Sequence, residues 1–221
     1  MSEKIKIAVD AMGGEKSPAK VLKGIKIHND KSNDVFYNIF GDKDLIEPII
    51  KKIKLDDNFY KVFHTQNLIK DTDSPLSAAK KGKDTSMWLS IESLKNDDSD
   101  AIVSAGNTGA LFVIAKLNLK MIEKIDKPAL SGLWPNKLGM NIVLDLGANI
   151  DCNEKNLKDF AIMGAALHKS LFPEEVSKVA LLNIGSEEMK GNSVIKNTYQ
   201  ELLKINNSLF EFKGYIEGNN I

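Results

Sequence analysis

The sequence predicts an α/β fold in which a mostly parallel β-sheet is covered by helices on both faces. Short apolar runs alternate with longer amphipathic stretches along all 221 residues. Runs such as 179–184, with the sequence VALLNI, are apolar on both faces of a strand, which is typical of a sheet buried on both sides. Because no internal repeat, low-complexity tract or linker interrupts the alternation, we expect a single α/β domain over residues 1–221.

Each element follows from its own local pattern. Strands are predicted over 5–9, 35–40, 59–63, 101–104, 141–146, 179–184 and 209–216. Helices are predicted from Ser17 and Pro18 onward, over 42–53, over 73–94 with an interruption near Gly82, and over 107–121, 154–171 and 192–204. Serine is a favoured cap and proline a favoured first helical residue, so Ser17 is expected to cap the first helix. Only five residues follow the last predicted strand, and we therefore expect the chain to be incomplete at its C-terminus.

Composition and charge exclude several classes of protein. The chain has 30 lysines, no arginine and 30 acidic residues, so its formal net charge is zero and it lacks the basic excess of a nucleic-acid binder. Its single cysteine, Cys152, forbids an internal disulfide and fits a reducing compartment. The N-terminus has no apolar signal segment, and the longest apolar run, 110–115, is far too short to span a membrane. We expect a cytoplasmic protein.

Three glycine-bearing loops fall at predicted strand ends, where parallel sheets bind their ligands. The first loop, 10–14, reads DAMGG, and its paired glycines, Gly13 and Gly14, allow backbone N–H groups to face an anion near a helix start. The same pair also suits a tight turn without any ligand, and both interpretations stay open. The loop does not have the GxGxxG pattern of dinucleotide-binding proteins.

The second loop, 104–109, reads SAGNTG and is the best local candidate for an anion site. It offers two glycines, two hydroxyls and an amide at the positive end of a predicted helix. Asn107 or Thr108 is also suited to capping that helix, and a cap is compatible with anion binding.

The third loop, 183–192, reads NIGSEEMKGN and follows the most apolar strand. Lys190 lies beside a glycine just ahead of a predicted helix, where its ammonium could meet a bound phosphate. Most lysines in loops are simply solvated, which is the alternative interpretation. The order and spacing differ from those of the P-loop.

A fourth segment, 145–151, reads DLGANID and places Asp145 and Asp151 across a turn. Two such carboxylates could hold a metal or position a substrate, although more often they cap turns and helices. The three histidines are scattered and Cys152 has no partner at zinc spacing, so we expect no metal site and no cofactor. The GxSxG pattern of a serine nucleophile is absent from the sequence.

Taken together, these segments resemble the phosphate acyltransferase family of bacterial phospholipid synthesis. The resemblance is carried by IAVDAMGG at 7–14, SAGNTGAL at 104–111, LDLGANIDC at 144–152, LLNIG at 181–185 and KGN at 190–192. It includes IDKPAL at 125–130 and runs in order from Ile5 to the last residue.

The resemblance implies transfer of a fatty acyl group from acyl carrier protein to inorganic phosphate, without a cofactor. It implies a three-layer α/β/α sandwich similar to that of phosphotransacetylases and isocitrate-type dehydrogenases, and a homodimer. It also implies peripheral association with the inner membrane, with a membrane-bound glycerol-3-phosphate acyltransferase as a partner.

The resemblance also assigns the site residues, and we expect all three glycine loops at one edge of the sheet. Phosphate binding is assigned to Gly13, Gly14, Asn107, Thr108 and Gly109, and charge stabilisation of phosphate and the developing oxyanion to Lys190. Asp10 and Asn192 are expected to orient loops, and Lys83 and Ser86 are weaker candidates.

Three other functions remain as alternatives. A small-acyl phosphotransacetylase that uses coenzyme A shares the fold and the phosphate chemistry. A partial chain could bind phosphate or a partner without completing a reaction. A generic nucleotide-binding α/β domain is disfavoured because its fingerprints are missing.

Overall fold

The computed structural model describes residues 4–137, 139–185, 190–205 and 208–221. Contacts group the chain into two compact units, Met1–Lys120 and Met121–Ile221. Grouping by contacts does not test the expectation of one domain over residues 1–221, which stays a prediction.

The first unit is built on a four-stranded parallel sheet, as predicted. Its elements over the described residues 4–120 are β1 (Ile5–Asp10), α1 (Ala19–Asn29), β2 (Val35–Gly41), α2 (Lys43–Ile53), β3 (Tyr60–His64), α3 (Pro75–Lys81), α4 (Ser86–Lys95), β4 (Ala101–Ser104) and α5 (Thr108–Asn118). The strand order is β3-β2-β1-β4, so β1 lies inside the sheet and β4 at its edge. Parallel pairing brings the carboxyl ends of all four strands to one edge.

Helices cover both faces of this sheet, because successive side chains of a strand point to opposite sides. On one face, Val9 and Ile39 pack in a buried cluster with Leu22 of α1 and Ile46 of α2. A second cluster, formed by α3, α4 and α5, lies on the opposite face, where Ile102 packs against it. Ile102 is the register partner of Ala8, which alternates with Val9 along β1. The first unit therefore has the three α/β/α layers that the resemblance implies.

The second unit contains two small sheets within its described residues. Its elements are β5 (Gly132–Asn136), β6 (Gly139–Val143), α6 (Glu154–Leu171), β7 (Ser177–Leu182), α7 (Ser193–Leu203) and β8 (Phe210–Ile216). Strands β7 and β8 pair in parallel, whereas β5 and β6 pair antiparallel. The α6, α7, β7 and β8 elements share a buried cluster around Ala165, Leu181, Leu202 and Phe210.

Two sequence expectations differ from the structure. The predicted strand 141–146 is observed as β6 with earlier bounds, Gly139–Val143, whereas β5 and its hairpin pairing were not expected, because Pro135 is a poor strand residue and β5 is not a fully apolar run. Ser17 does not cap the first helix: Pro18 occupies the cap position without a side-chain hydrogen bond. The Ser17 hydroxyl donates instead to the carbonyl oxygen of Gly13 and so closes the loop that precedes the helix.

Candidate active site at the carboxyl edge of the parallel sheet

The buried carboxylate of Asp10 ties together three elements of the first unit. Asp10 is the last residue of β1 and is 1% exposed. Its Oδ1 accepts hydrogen bonds from Ser86 Oγ (2.6 Å) and from the backbone N–H of Met12 (3.2 Å), while its Oδ2 accepts one from Ser104 Oγ (2.7 Å). Ser86 is the first residue of α4 and Ser104 the last of β4. The carboxylate therefore fixes the start of α4 and the ends of both strands.

Strand register explains why these groups meet. Asp10 of β1 pairs with Ser104 of β4 in parallel register, so both side chains point to the same face. This is the face covered by α4, whose first residue is Ser86. Ser104 was not singled out from the sequence, because its role depends on β4 lying beside β1.

The first two glycine loops lie at the same edge of the sheet, as the sequence predicts, and the structure adds that they are in direct contact. We call them the paired glycine loops (10–14 and 104–109). A Cβ atom on Gly13 would lie 2.8 Å from the backbone N of Gly106 and 2.6 Å from Asp10 Oδ2. Gly14 has a φ of +83°, and a Cβ there would lie 2.4 Å from the carbonyl oxygen of Ala105. Only glycine allows the two backbones to approach this closely.

The side chain of Asn107 is occupied by contacts within the protein. Its Oδ1 caps α5 by accepting the N–H of Ala110 (3.0 Å), and its Nδ2 donates to the carbonyl oxygens of Asp71 (3.1 Å) and Asp73 (2.9 Å). The Asn107 amide clamps the 71–73 segment to the start of α5. Phosphate binding by Asn107 stays a prediction.

Thr108 and Gly109 are the first two residues of α5, so their backbone N–H groups have no acceptor within the helix. The helix macrodipole makes this end attractive to anions. Pro75, the first residue of α3, lies against Gly109, where a Cβ would come within 2.7 Å of Pro75 Cγ. The second of the paired glycine loops thus ends in two N–H donors at a helix start, an arrangement that suits a phosphate group.

The weaker candidates of the first unit have distinct places. Ser86 is buried and its hydroxyl donates to Asp10, so it supports the site from beneath. Lys83 is exposed in the turn between α3 and α4. Phosphate binding by any of these residues stays a prediction.

The third glycine loop belongs to the second unit. Lys190 is exposed, and its carbonyl oxygen accepts a hydrogen bond from Asn183 Nδ2 (3.2 Å). Asn192 caps α7 by accepting the N–H of Ile195 (2.9 Å), which agrees with its expected role in orienting the loop. Residues 186–189 lie outside the described residues. The expectation that this loop shares an edge with the paired glycine loops stays a prediction.

Asp145 organises a loop of the second unit rather than a metal site. Its Oδ1 accepts the N–H of Leu130 (2.8 Å), and its Oδ2 accepts both the N–H and the side-chain amide of Asn149 (2.7 and 2.8 Å). Burial alone would raise the pKa of Asp145, but these donors, with the N–H of Ala148, outweigh it and hold the pKa below its usual value. Among the described residues, no group of three or more His, Cys, Asp or Glu side chains could hold a metal ion.

We predict that Asp145→Asn destabilises the protein by about 1–3 kcal/mol at pH 7, because charged hydrogen bonds are lost to several N–H donors. The folded-state pKa lies below the unfolded value near 3.9, so the stabilisation is complete above that value and is lost as the pH falls through the folded pKa. Urea unfolding at pH 7 and below pH 4 checks this. The difference in free energy of unfolding between Asp145→Asn and the wild type should be smaller below pH 4 than at pH 7. The control Glu174→Gln, at an exposed position, should have the wild-type free energy of unfolding at both pH values.

No helix within the described residues is both long enough and apolar enough to cross a membrane.

The first unit's sheet, and the loops at its carboxyl edge, place the chain among α/β proteins with the phosphotransacetylase fold. One solved structure with this fold is the EutD phosphotransacetylase from Staphylococcus aureus, with a TM-score of 0.67 and 17% identity over 97% of this chain and 69% of that one. Another is a phosphotransacetylase from Streptococcus pyogenes, with a TM-score of 0.68 and 12% identity over 98% of this chain and 78% of that one. At these identities the similarity concerns the fold alone.

The chain belongs to the family described as fatty acid synthesis protein, whose model matches residues 5–221. A phosphate acyltransferase from Pelagibacter ubique (strain HTCC1062) is 62% identical over all 221 residues, and one from Paramagnetospirillum magneticum (strain AMB-1) is 37% identical over the same length. The chain spans 66% and 63% of the lengths of these two relatives. The resemblance seen in the motifs is thus confirmed.

Proposed function

We propose that the whole protein transfers a fatty acyl group from acyl carrier protein to inorganic phosphate, giving acyl phosphate and the free carrier thiol. The observation that carries the proposal is 62% identity over the full chain to a phosphate acyltransferase. The paired glycine loops support it, since they lie beside two N–H donors at the start of α5.

The proposed chemistry needs no nucleophilic side chain. Phosphate itself attacks the thioester carbonyl carbon, and at neutral pH much of it is already dianionic, by analogy with the second pKa of about 6 for a phosphoserine. The leaving group is a thiolate with a pKa of roughly 8.5, by analogy with cysteine, so it departs without strong acid assistance. The protein must position and desolvate phosphate and stabilise the oxyanion of the tetrahedral intermediate.

The described residues suit the positioning of phosphate. The N–H groups of Thr108 and Gly109 would donate to phosphate oxygens, while Gly13 and Gly14 let the first loop pack directly against the 104–109 backbone that carries these donors. Asn107 would act through its cap and its clamp on the 71–73 segment.

Lys190 is our candidate for charge stabilisation of phosphate and the oxyanion. Its side chain is exposed, and it belongs to the KGN motif that precedes α7. The assignment rests on this motif and on the chemistry of an ammonium group rather than on a distance. With no arginine in the chain, cationic contacts to phosphate must come from lysine.

A substrate comparison tests the proposal. We expect phosphate-dependent release of free thiol from a long-chain acyl–acyl carrier protein, with transfer of labelled phosphate into acyl phosphate. Acetyl-coenzyme A should be a poor substrate. Preference for acetyl-coenzyme A would instead identify a small-acyl phosphotransacetylase, whose fold the solved structures share. Phosphate binding without turnover of either thioester would favour the non-catalytic alternative.

Partners and location follow from the same proposal. We propose that the whole protein is a cytoplasmic homodimer that associates peripherally with the inner membrane. The acyl phosphate would be consumed there by a membrane-bound glycerol-3-phosphate acyltransferase. Light scattering gives the solution mass, and sedimentation with vesicles tests the membrane association.

A further inference from the structure

Ser104 has a hydrogen-bonding pattern that neither a cap nor a substrate ligand would need. Its hydroxyl donates to Asp10 Oδ2 (2.7 Å) and accepts the backbone N–H of Gly106 (3.2 Å). The hydroxyl group therefore donates its proton to the Asp10 carboxylate, and one of its lone pairs accepts the N–H of Gly106 in the second glycine loop. Ser104 is the only side chain for which the described hydrogen bonds join Asp10 to the backbone of that loop.

The Asp10 carboxylate is held in place by hydrogen bonds other than the one from Ser104. Ser86 Oγ and the N–H of Met12 hold Oδ1, which anchors the carboxylate to α4 and to its own loop. Because the side chain is 1% exposed, losing one of its donors is costly, since a buried charge needs every hydrogen bond it can make. The position of Oδ2 is therefore fixed, and its hydrogen bond with Ser104 fixes the position of the Ser104 hydroxyl.

Gly106 connects the Ser104 hydroxyl to the contact between the paired glycine loops, because its N–H donates to that hydroxyl. Its backbone packs against Gly13, since a Cβ on Gly106 would lie 3.1 Å from Gly13 Cα and 3.0 Å from Met87 Cε. Rotation of the Gly106 peptide would move the N–H groups of Thr108 and Gly109, which follow within three residues. A shift of only about 1 Å in such donors is enough to lose most of their effect on a bound group.

We propose that Ser104 is a positioning residue, which together with Asp10 and Ser86 holds the Gly106 backbone against Gly13 and so presets the phosphate-binding geometry of the paired glycine loops. Ser104 does not touch phosphate itself. The inference deepens the proposed function and rests on it for the identity of the ligand.

The test compares Ser104→Ala, Ser104→Thr and a control, Ser93→Ala, each in the whole protein. Ser104 is partly buried, whereas Ser93 is a buried serine of the same unit, whose Oγ pairs with Ser99 Oγ (2.7 Å). Three quantities are measured for each variant: the dissociation constant for inorganic phosphate, the amide hydrogen exchange rate of Gly106, and the free energy of unfolding in urea.

We expect Ser104→Ala to weaken phosphate binding at least tenfold and to accelerate exchange at Gly106, because the Gly106 N–H loses its acceptor and a shift of about 1 Å in preorganised donors can cost up to about 10²-fold. Ser104→Thr keeps the hydroxyl and should restore both quantities. Ser93→Ala should lower stability by a similar amount while leaving phosphate binding and Gly106 exchange unchanged. Equal behaviour of the two alanine variants in all three measurements would overturn the proposal.

Failure of the proposed function gives a different result. If the wild-type chain does not bind phosphate, the phosphate site of these loops is wrong, and the positioning role is then decided by exchange alone. Faster exchange at Gly106 in Ser104→Ala but not in Ser93→Ala would sustain the role. Unchanged exchange in both would remove it.

Discussion

Replacing Lys190 by alanine is expected to lower the rate of acyl phosphate formation by the whole protein about 10²- to 10³-fold. This is the effect of removing one preorganised donor that stabilises a developing oxyanion. Because the Lys190 side chain is exposed, its loss should change the free energy of unfolding by less than about 0.5 kcal/mol.

The measurement is phosphate-dependent release of the carrier thiol at saturating substrate. Lys204→Ala is the matched control, because Lys204 is an exposed lysine just after α7. The Lys204 ammonium pairs with Glu201. An exposed pair of this kind contributes at most about 1 kcal/mol, so the control should leave the rate unchanged. A Lys190→Ala rate within twofold of the wild-type rate would dismiss Lys190 as a catalytic residue.

The second large effect concerns Gly14. We expect Gly14→Ala to lower the free energy of unfolding by about 2–5 kcal/mol and to abolish phosphate binding. A positive φ of +83° costs an L-residue roughly 1–2 kcal/mol, and a Cβ only 2.4 Å from the Ala105 carbonyl oxygen adds an overpacking penalty of about 1–3 kcal/mol. The neighbouring atom is backbone, so the second glycine loop itself would have to move.

Gly24→Ala provides the control for this prediction. Gly24 is exposed within α1, and a Cβ there would meet no atom within 4 Å. Alanine should therefore stabilise the helix by about 0.5–1 kcal/mol and leave phosphate binding intact. Urea unfolding and phosphate titration of both variants check the pair. A Gly14→Ala protein as stable as the wild type would show that the paired glycine loops are not packed as described.

Much of the fold could be predicted because local signals were strong. The α6 helix begins at Glu154 and ends at Leu171 as expected, since an asparagine capping box opens it and Pro173 follows its end. The strand β4 also has its predicted bounds. The β5–β6 hairpin escaped prediction because its pairing, and not its composition, makes it a sheet.

The site was predictable only in outline. Parallel strands share a carboxyl edge, so a common edge for the first two glycine loops could be expected from their positions in the sequence. The role of Ser104 could not, because it requires the strand order that puts β4 beside β1. Likewise, the carbonyl oxygens of Asp71 and Asp73 that occupy the Asn107 amide belong to an irregular segment without a sequence pattern.

The central position of β1 in its sheet has a consequence for how the protein is made. Asp10 finds its hydroxyl partners 76 residues later in the chain, at Ser86, and 94 residues later, at Ser104. At a synthesis rate of about 5–20 residues per second, a ribosome needs roughly 5–20 s to add the 94 residues that separate Asp10 from Ser104. During that interval Oδ2 has no hydroxyl donor from β4, because Ser104 has not yet been added. The last hydrogen bond to this carboxylate is therefore made late in assembly, and the paired glycine loops come together only when β4 has emerged.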